Sequence, residues 1–155
     1  MLVEDLGALL RDRKETLAVA ESCTGGKVDD MITDVPGSSD YFLGGIISYG
    51  NQAKIDLLGV SRETLETKGA VSEDVAIQMA NGVREKLGST YGIGITGIAG
   101  PKGGSRTKPV GLVYIAVASL NGAICERNVF TGSRTDVKRV AAEHSLQMLH
   151  KFISR

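Results

Sequence analysis

An α/β fold is the class this sequence predicts: three layers, α/β/α, around a mixed sheet that includes one antiparallel hairpin. Three observations lead there. Segments with apolar residues at helical spacing alternate with short apolar runs along most of the chain, the order that parallel strands and covering helices require. Late in the chain the alternation stops, and two β-rich runs flank Asn121-Gly122, a dipeptide that favours a type I′ hairpin. No repeat, low-complexity tract or linker breaks the pattern, so residues 1–155 read as one domain, long enough to bury a core.

Each element has its own signal. Leu2, Leu6, Leu9 and Leu10 fall at helical spacing and predict an amphipathic helix over 2–14. Residues 16–20 form a short apolar run, a buried strand. After Ser22-Cys23-Thr24-Gly25-Gly26 a helix is expected over 27–33, and Val35-Pro36-Gly37-Ser38-Ser39 stops it. Residues 42–49, rich in isoleucine and aromatics, read as a second strand; helices follow over 51–58 and 62–67. Ser72 is placed as an N-cap with Glu73 and Asp74 in the first turn, where carboxylates favour the positive end of the dipole. Val75, Met79, Val83 and Leu87 give that helix one apolar face. Residues 91–96 are a third strand, 97–108 a glycine-rich loop, and 109–120 and 123–131 the hairpin strands. A last helix covers 135–153, with Val137, Ala141, Met148 and Phe152 on one side.

Composition removes several function classes. Lys plus Arg and Asp plus Glu both number 18, so the basic surplus of a nucleic-acid binder is missing. Cys23 and Cys125 lie far apart and in no CxxC pattern, which argues for a reducing compartment over a disulfide scaffold. Without a membrane-length apolar run or a signal-peptide core, the expected location is cytoplasmic, with no membrane partner. His144 and His150 miss the i, i+4 spacing that lets two histidines share a metal; neither a metal nor another cofactor is expected.

Chemistry concentrates in three places. Ser22, Cys23 and Thr24 lie between a strand end and a helix start, followed by Gly25-Gly26. Free N–H groups there can hold an oxyanion or a phosphate, glycines admit a substrate, and open α/β sheets bind ligands at this edge. The same residues also suit a plain helix cap and tight turn, and Cys23 rivals Ser22 as nucleophile because thiols need less activation. Lys54, one turn into its helix, can reach back to the strand end. It is either a solvated surface residue or, desolvated beside another cation, a base for a serine proton. Finally, Gly92, Gly94 and Gly97 formally satisfy G-x-G-x-x-G, but the fingerprint must open a helix and here a strand and a Gly-Pro break follow. The loop with Gly97, Gly100, Gly103 and Gly104 reads instead as a ligand wrap or a surface loop, its Lys102, Arg106 and Lys108 able to neutralise a phosphate.

Taken together, residues 20–26, 35–39, 44–54, 69–72, 96–101 and 108–111 resemble, in collinear order, the CinA C-terminal domain family. The match runs from about residue 3 to residue 152 and resembles the stand-alone form, without the additional N-terminal domain of longer members. The resemblance implies hydrolysis of nicotinamide mononucleotide to nicotinate mononucleotide and ammonia, with Ser22 as nucleophile and Lys54 as base. It implies supporting roles for Tyr49 and Thr96, and substrate binding by Cys23, Thr24, Gly25, Gly26, Ser39, Gly97, Gly100, Gly103, Gly104, Lys108 and Arg134. Where the family tends to Gly-x-Arg-x-x-Val-Arg, this chain has Lys138 in place of the last arginine, a point charge where a planar fork is usual. The family's habit and the zero net charge imply a homo-oligomer. The alternative is a non-catalytic nucleotide-binding or protein-interaction module related to competence and DNA damage.

Overall fold

The structure, a computed structural model, describes residues 2–155. Along the chain run α1 (Leu2–Arg13), β1 (Leu17–Glu21), α2 (Lys27–Thr33), a single 3₁₀ turn (Ser38–Asp40), β2 (Phe42–Ile47), α3 (Asn51–Leu58), α4 (Arg62–Lys68), α5 (Glu73–Leu87), β3 (Tyr91–Gly97), β4 (Leu112–Ser119), β5 (Gly122–Val129) and α6 (Arg134–Ile153). The sheet order is β2-β1-β3-β4-β5. β1 is parallel to β2 and β3, whereas β3–β4 and β4–β5 are antiparallel. This is the mixed three-layer α/β arrangement expected from the alternation of elements.

The strand period of two sorts β1 between the layers. Leu17 and Val19 join Leu6, Leu10, Val28, Ile32, Leu146 and Leu149, the faces of α1, α2 and α6. Ala18 and Ala20 face Leu58, Leu65, Val75 and Met79 on α3, α4 and α5. Residues on this second face are small because α5 lies directly on the sheet. A Cβ on Gly92 would collide with the Ala80 carbonyl and one on Gly94 with the Ala76 carbonyl. The formal dinucleotide fingerprint is therefore a packing surface, close helix–strand approach being what those glycines permit.

Local differences from the expected bounds have local causes. The register pairs Ser119 with Gly122, so Leu120 and Asn121 occupy the hairpin loop and Gly122 opens β5. Neither loop residue has positive φ, so the turn is not type I′; the Ser119 hydroxyl accepts from the Asn121 N–H at 3.2 Å and closes it instead. β2 stops at Ile47, short of Tyr49, because the next two carbonyls turn toward Lys54. Ser72 caps α5 as expected, and Ser133 with Asp136 forms a capping box that starts α6 at Arg134.

Candidate active site

β1 ends at the carboxyl edge of the sheet, and Ser22 is its first residue beyond the strand. Its N–H donates to the Ile95 carbonyl at 3.1 Å, which fixes it beside β3. The chain then reverses through Gly25 and Gly26, at φ 60° and 105°, a left-handed pair that glycine adopts without steric cost. The Gly25 N–H donates back to the Ser22 carbonyl at 3.1 Å.

Neither Ser22 nor Thr24 caps α2. Glu21 does, a role that reading the sequence missed. Its buried carboxylate accepts from the N–H groups of Gly26 (3.1 Å), Val28 (3.1 Å) and Asp29 (2.9 Å). A carboxylate at a helix N-terminus satisfies orphan donors and offsets the dipole. The signal was present as an acidic residue ending an apolar strand, but caps are sought immediately before a helix and Glu21 lies further back. Beside it, the Asp29 carboxyl packs over Gly45. Burial and the adjacent Glu21 carboxylate push the Asp29 carboxyl far above the usual carboxylate range.

From the other layer comes Lys54. Its side chain is 1 % exposed, not solvated. Nζ lies 2.9 Å from Ser22 Oγ, 2.7 Å from the Ser48 carbonyl and 3.1 Å from the Tyr49 carbonyl. Burial pushes the Lys54 amine below the ordinary lysine range; the second cation expected to assist is not among its causes. Cys23 is buried too, and burial pushes its thiol up to about 12. A protonated thiol is a poor nucleophile, and it is Ser22 Oγ, not the Cys23 thiol, that lies within hydrogen-bond distance of Lys54.

The donors for an oxyanion narrow in the same way. Gly25 and Gly26 spend their N–H groups on Ser22 and Glu21, and Lys27 donates to the Thr24 carbonyl. The Cys23 and Thr24 N–H groups have no acceptor among the described residues. The Thr24 hydroxyl is buried and also without a partner.

Other expected residues are distributed unevenly. The Tyr49 carbonyl holds Lys54, while its ring is exposed and its hydroxyl accepts from Arg134 at 2.8 Å. Arg134 also donates to the Gly100 carbonyl at 2.7 Å, so it joins the end of β2 to the glycine loop. Thr96 continues β3 past Ile95, which pairs with Glu21, and donates to the Ala70 carbonyl at 2.9 Å. Gly97 is explained by its β4 neighbours Leu112 and Val113, and Gly100 and Gly104 by Val110 within the loop, which a Cβ on them would meet. Gly103 has positive φ and only Ile98 near it. Lys108 donates to the Lys68 carbonyl at 2.6 Å and so anchors the loop to the end of α4. Ser39 is not brought to the site: it sits exposed in the 3₁₀ turn before β2, at the sheet end where β1 begins. Lys27, Thr135 and Lys138, by contrast, line a small cavity of about 50 Å³ near the serine turn, and the Lys138 amine lies 3.6 Å from where a Cβ on Gly25 would be. Among the described residues no group of histidine, cysteine or carboxylate side chains is arranged to hold a metal. No described helix is long and apolar enough to cross a membrane.

These features define a class: a mixed-sheet α/β protein with a buried serine–lysine pair at the carboxyl ends of its parallel strands. The CinA C-terminal domain model matches residues 1–153. A CinA-like protein of Synechococcus sp. is 53 % identical over 152 residues, 97 % of this chain and 36 % of that protein. One of Cyanothece sp. is 54 % identical over 153 residues, again 97 % and 36 %. The chain thus spans about a third of the length of the curated relatives it matches. Among solved structures, the competence/damage inducible protein CihA of Agrobacterium tumefaciens superposes with a TM-score of 0.92 at 36 % identity, covering 100 % of this chain and 97 % of that one. A CinA superfamily protein of Escherichia coli gives 0.94 at 32 % identity, covering 97 % and 88 %. The chain belongs to the CinA C-terminal domain family.

Proposed function

We propose that this protein is an amidohydrolase that converts nicotinamide mononucleotide and water to nicotinate mononucleotide and ammonia. The observation that carries this reading is the Lys54 amine, desolvated and 2.9 Å from Ser22 Oγ. A lysine held below its ordinary pKa has a neutral fraction able to take a serine proton, the serine hydroxyl then donating to Nζ.

In this mechanism Ser22 Oγ attacks the carboxamide carbon while its proton passes to Lys54. The Cys23 and Thr24 N–H groups receive the oxyanion, in a turn already ordered before substrate arrives. Collapse of the tetrahedral intermediate breaks the C–N bond, and the Lys54 ammonium gives its proton to the departing nitrogen, which leaves as ammonia. Water then adds to the acyl-serine ester, again losing a proton to Lys54, and the carboxylate departs as Ser22 regains its hydrogen. Lys27 and Lys138 supply positive charge beside the turn for the phosphate. Arg134, with its bonds to Tyr49 and Gly100, orders the opposite wall.

The test is ammonia release from purified protein supplied with nicotinamide mononucleotide. Release that Ser22→Ala abolishes is expected. No release, with nucleotide binding still measurable by calorimetry, would replace the enzyme by a nucleotide-binding module.

A further inference from the structure

A second cleft, of about 600 Å³, lies at the other end of the sheet. It is lined by Ser89 and Thr90 leading into β3 at Tyr91, the β4–β5 turn, and the ends of α1, α5 and α6. Tyr91 pairs with Leu17 at the beginning of β1, and Ser22 lies beyond the far end of that strand. At about 3.3 Å per residue, this separates the two places by roughly 17 Å. The cleft is thus distinct from the serine–lysine site.

Its charge is one-sided. Arg13, Arg84 and Arg155 reach it from three different segments, against one carboxylate, Glu15, which accepts from the Tyr91 hydroxyl at 2.9 Å. Arg13 is committed, donating to the Ile153 carbonyl at 2.8 Å. The other two are not. The Arg84 side chain is only 15 % exposed, yet among the described residues it makes no hydrogen bond; its sole ionic neighbour is the exposed Glu85, at 3.6 Å. The Arg155 guanidinium lies over the Phe152 ring, 5.4 Å from its centroid, and has no acceptor among the described residues. A guanidinium carries five donors in a rigid fork, and a largely buried one without acceptors is costly. Forks of this kind match phosphate oxygens in pairs, and the volume lies within the range of small-molecule pockets.

We propose that this cleft is a ligand site for a small phosphate-bearing anion of nucleotide size, held by Arg84 and Arg155. The chemistry recognised is the phosphate group, carried either by a nucleotide or by an inorganic polyphosphate.

The test titrates ATP and, separately, inorganic pyrophosphate into the purified protein by calorimetry, with amide shifts followed in ¹⁵N-labelled protein. Saturable binding is expected, with shifts at Ser89, Thr90 and Asn121. Arg84→Gln should weaken it about tenfold or more, the scale of one lost charge-assisted contact. Arg155→Ala should also weaken it, and because Arg155 is exposed this variant stays informative if Arg84→Gln folds poorly. Lys138→Ala, beside the serine turn, should leave this binding intact. Equal affinities for the two probes assign recognition to phosphate alone; tighter ATP adds the nucleoside. No binding of either probe at millimolar concentration overturns the proposal. So do shifts confined to residues 23–27 and 138 with affinity unchanged in both arginine variants.

Discussion

Lys54→Met preserves the length of the side chain and deletes the amine, so it separates base catalysis from packing. The rate effect follows from the geometry: no other described side chain donates to or accepts from Ser22 Oγ. Loss of a positioned general base should therefore lower kcat by roughly 10² to 10⁴. KM should move little, because Lys54 does not line the cationic cavity formed by Lys27, Thr135 and Lys138. Stability should fall modestly. The Ser48 and Tyr49 carbonyls lose their lysine donor, at about 1–3 kcal/mol per buried orphan, while the methionine terminus removes a desolvated amine and adds about one buried methylene, ~0.8 kcal/mol. A net loss near 1–3 kcal/mol corresponds to a Tm lower by roughly 2–12 °C for a chain of this size. The wild-type pH profile supplies an independent check. Only the neutral amine is a base, so kcat/KM should rise with pH through a Lys54 pKa that lies below the ordinary lysine range. The same shift has a stability sign. Below ~10.4 and above the folded pKa the unfolded chain holds more protons, so stability rises with pH across that window, and Lys54→Met should flatten it. Steady-state ammonia release and thermal melts read both effects. A variant that melts near wild type and retains kcat within about fivefold would refute the base assignment.

Further outcomes follow from the residues around this pair. Cys23→Ala should keep most of the activity, and iodoacetamide should label Cys23 slowly at pH 8, because its thiol titrates near 12. Asp29→Asn should fold, since Asn mimics the protonated carboxyl toward Glu21. It should also remove a loss of stability that wild type shows as pH rises through the elevated Asp29 pKa; urea melts from pH 5 to 9 would show the difference. Glu21→Ala strands three N–H groups of the α2 turn, and at about 1–3 kcal/mol per orphan should cost enough to lower expression as well as Tm. Gly94→Val would drive side-chain atoms into the α5 backbone, and soluble protein with a wild-type melt would contradict the packing derived for β3.

The alternation of helices and strands was legible because burial writes its period into side chains: Leu17 and Val19 against Ala18 and Ala20 record two covered faces. Ser22 and Lys54 stood out individually, one at a strand tip and the other a turn into a helix. Their meeting, however, depends on β1 and β2 being neighbours, which no local pattern records. Glu21 escaped notice for a related reason: its carboxylate reaches donors five to eight residues ahead, a distance bridged only by the Gly25-Gly26 reversal. The glycine loop misled in the opposite direction. Gly97, Gly100 and Gly104 suggested a ligand pressed against backbone, whereas the bodies pressed there are Val110, Leu112 and Val113. Glycine records that something comes close without recording what.

The position of Glu21 relative to Lys54 decides whether the pair can act at all. Successive side chains of a strand point to opposite faces, and β1 applies this rule to its last residue and the next. Glu21 follows Leu17 and Val19 toward α2, where its charge is spent on three N–H groups. Ser22 follows Ala18 and Ala20 toward α3, where Lys54 waits. The sheet therefore stands between the buried carboxylate of Glu21 and the buried amine that meets its backbone neighbour Ser22, and Glu21 does not figure among the causes acting on Lys54. A one-residue slip would bring them together. At about 4 Å and an effective dielectric of 20, their attraction would be ~4 kcal/mol, roughly three pKa units in favour of the ammonium. That would favour the ammonium and oppose the proton transfer from Ser22 proposed above. The acidic residue beside the proposed nucleophile is compatible with the proposed lysine base only because strand alternation turns it to the other face.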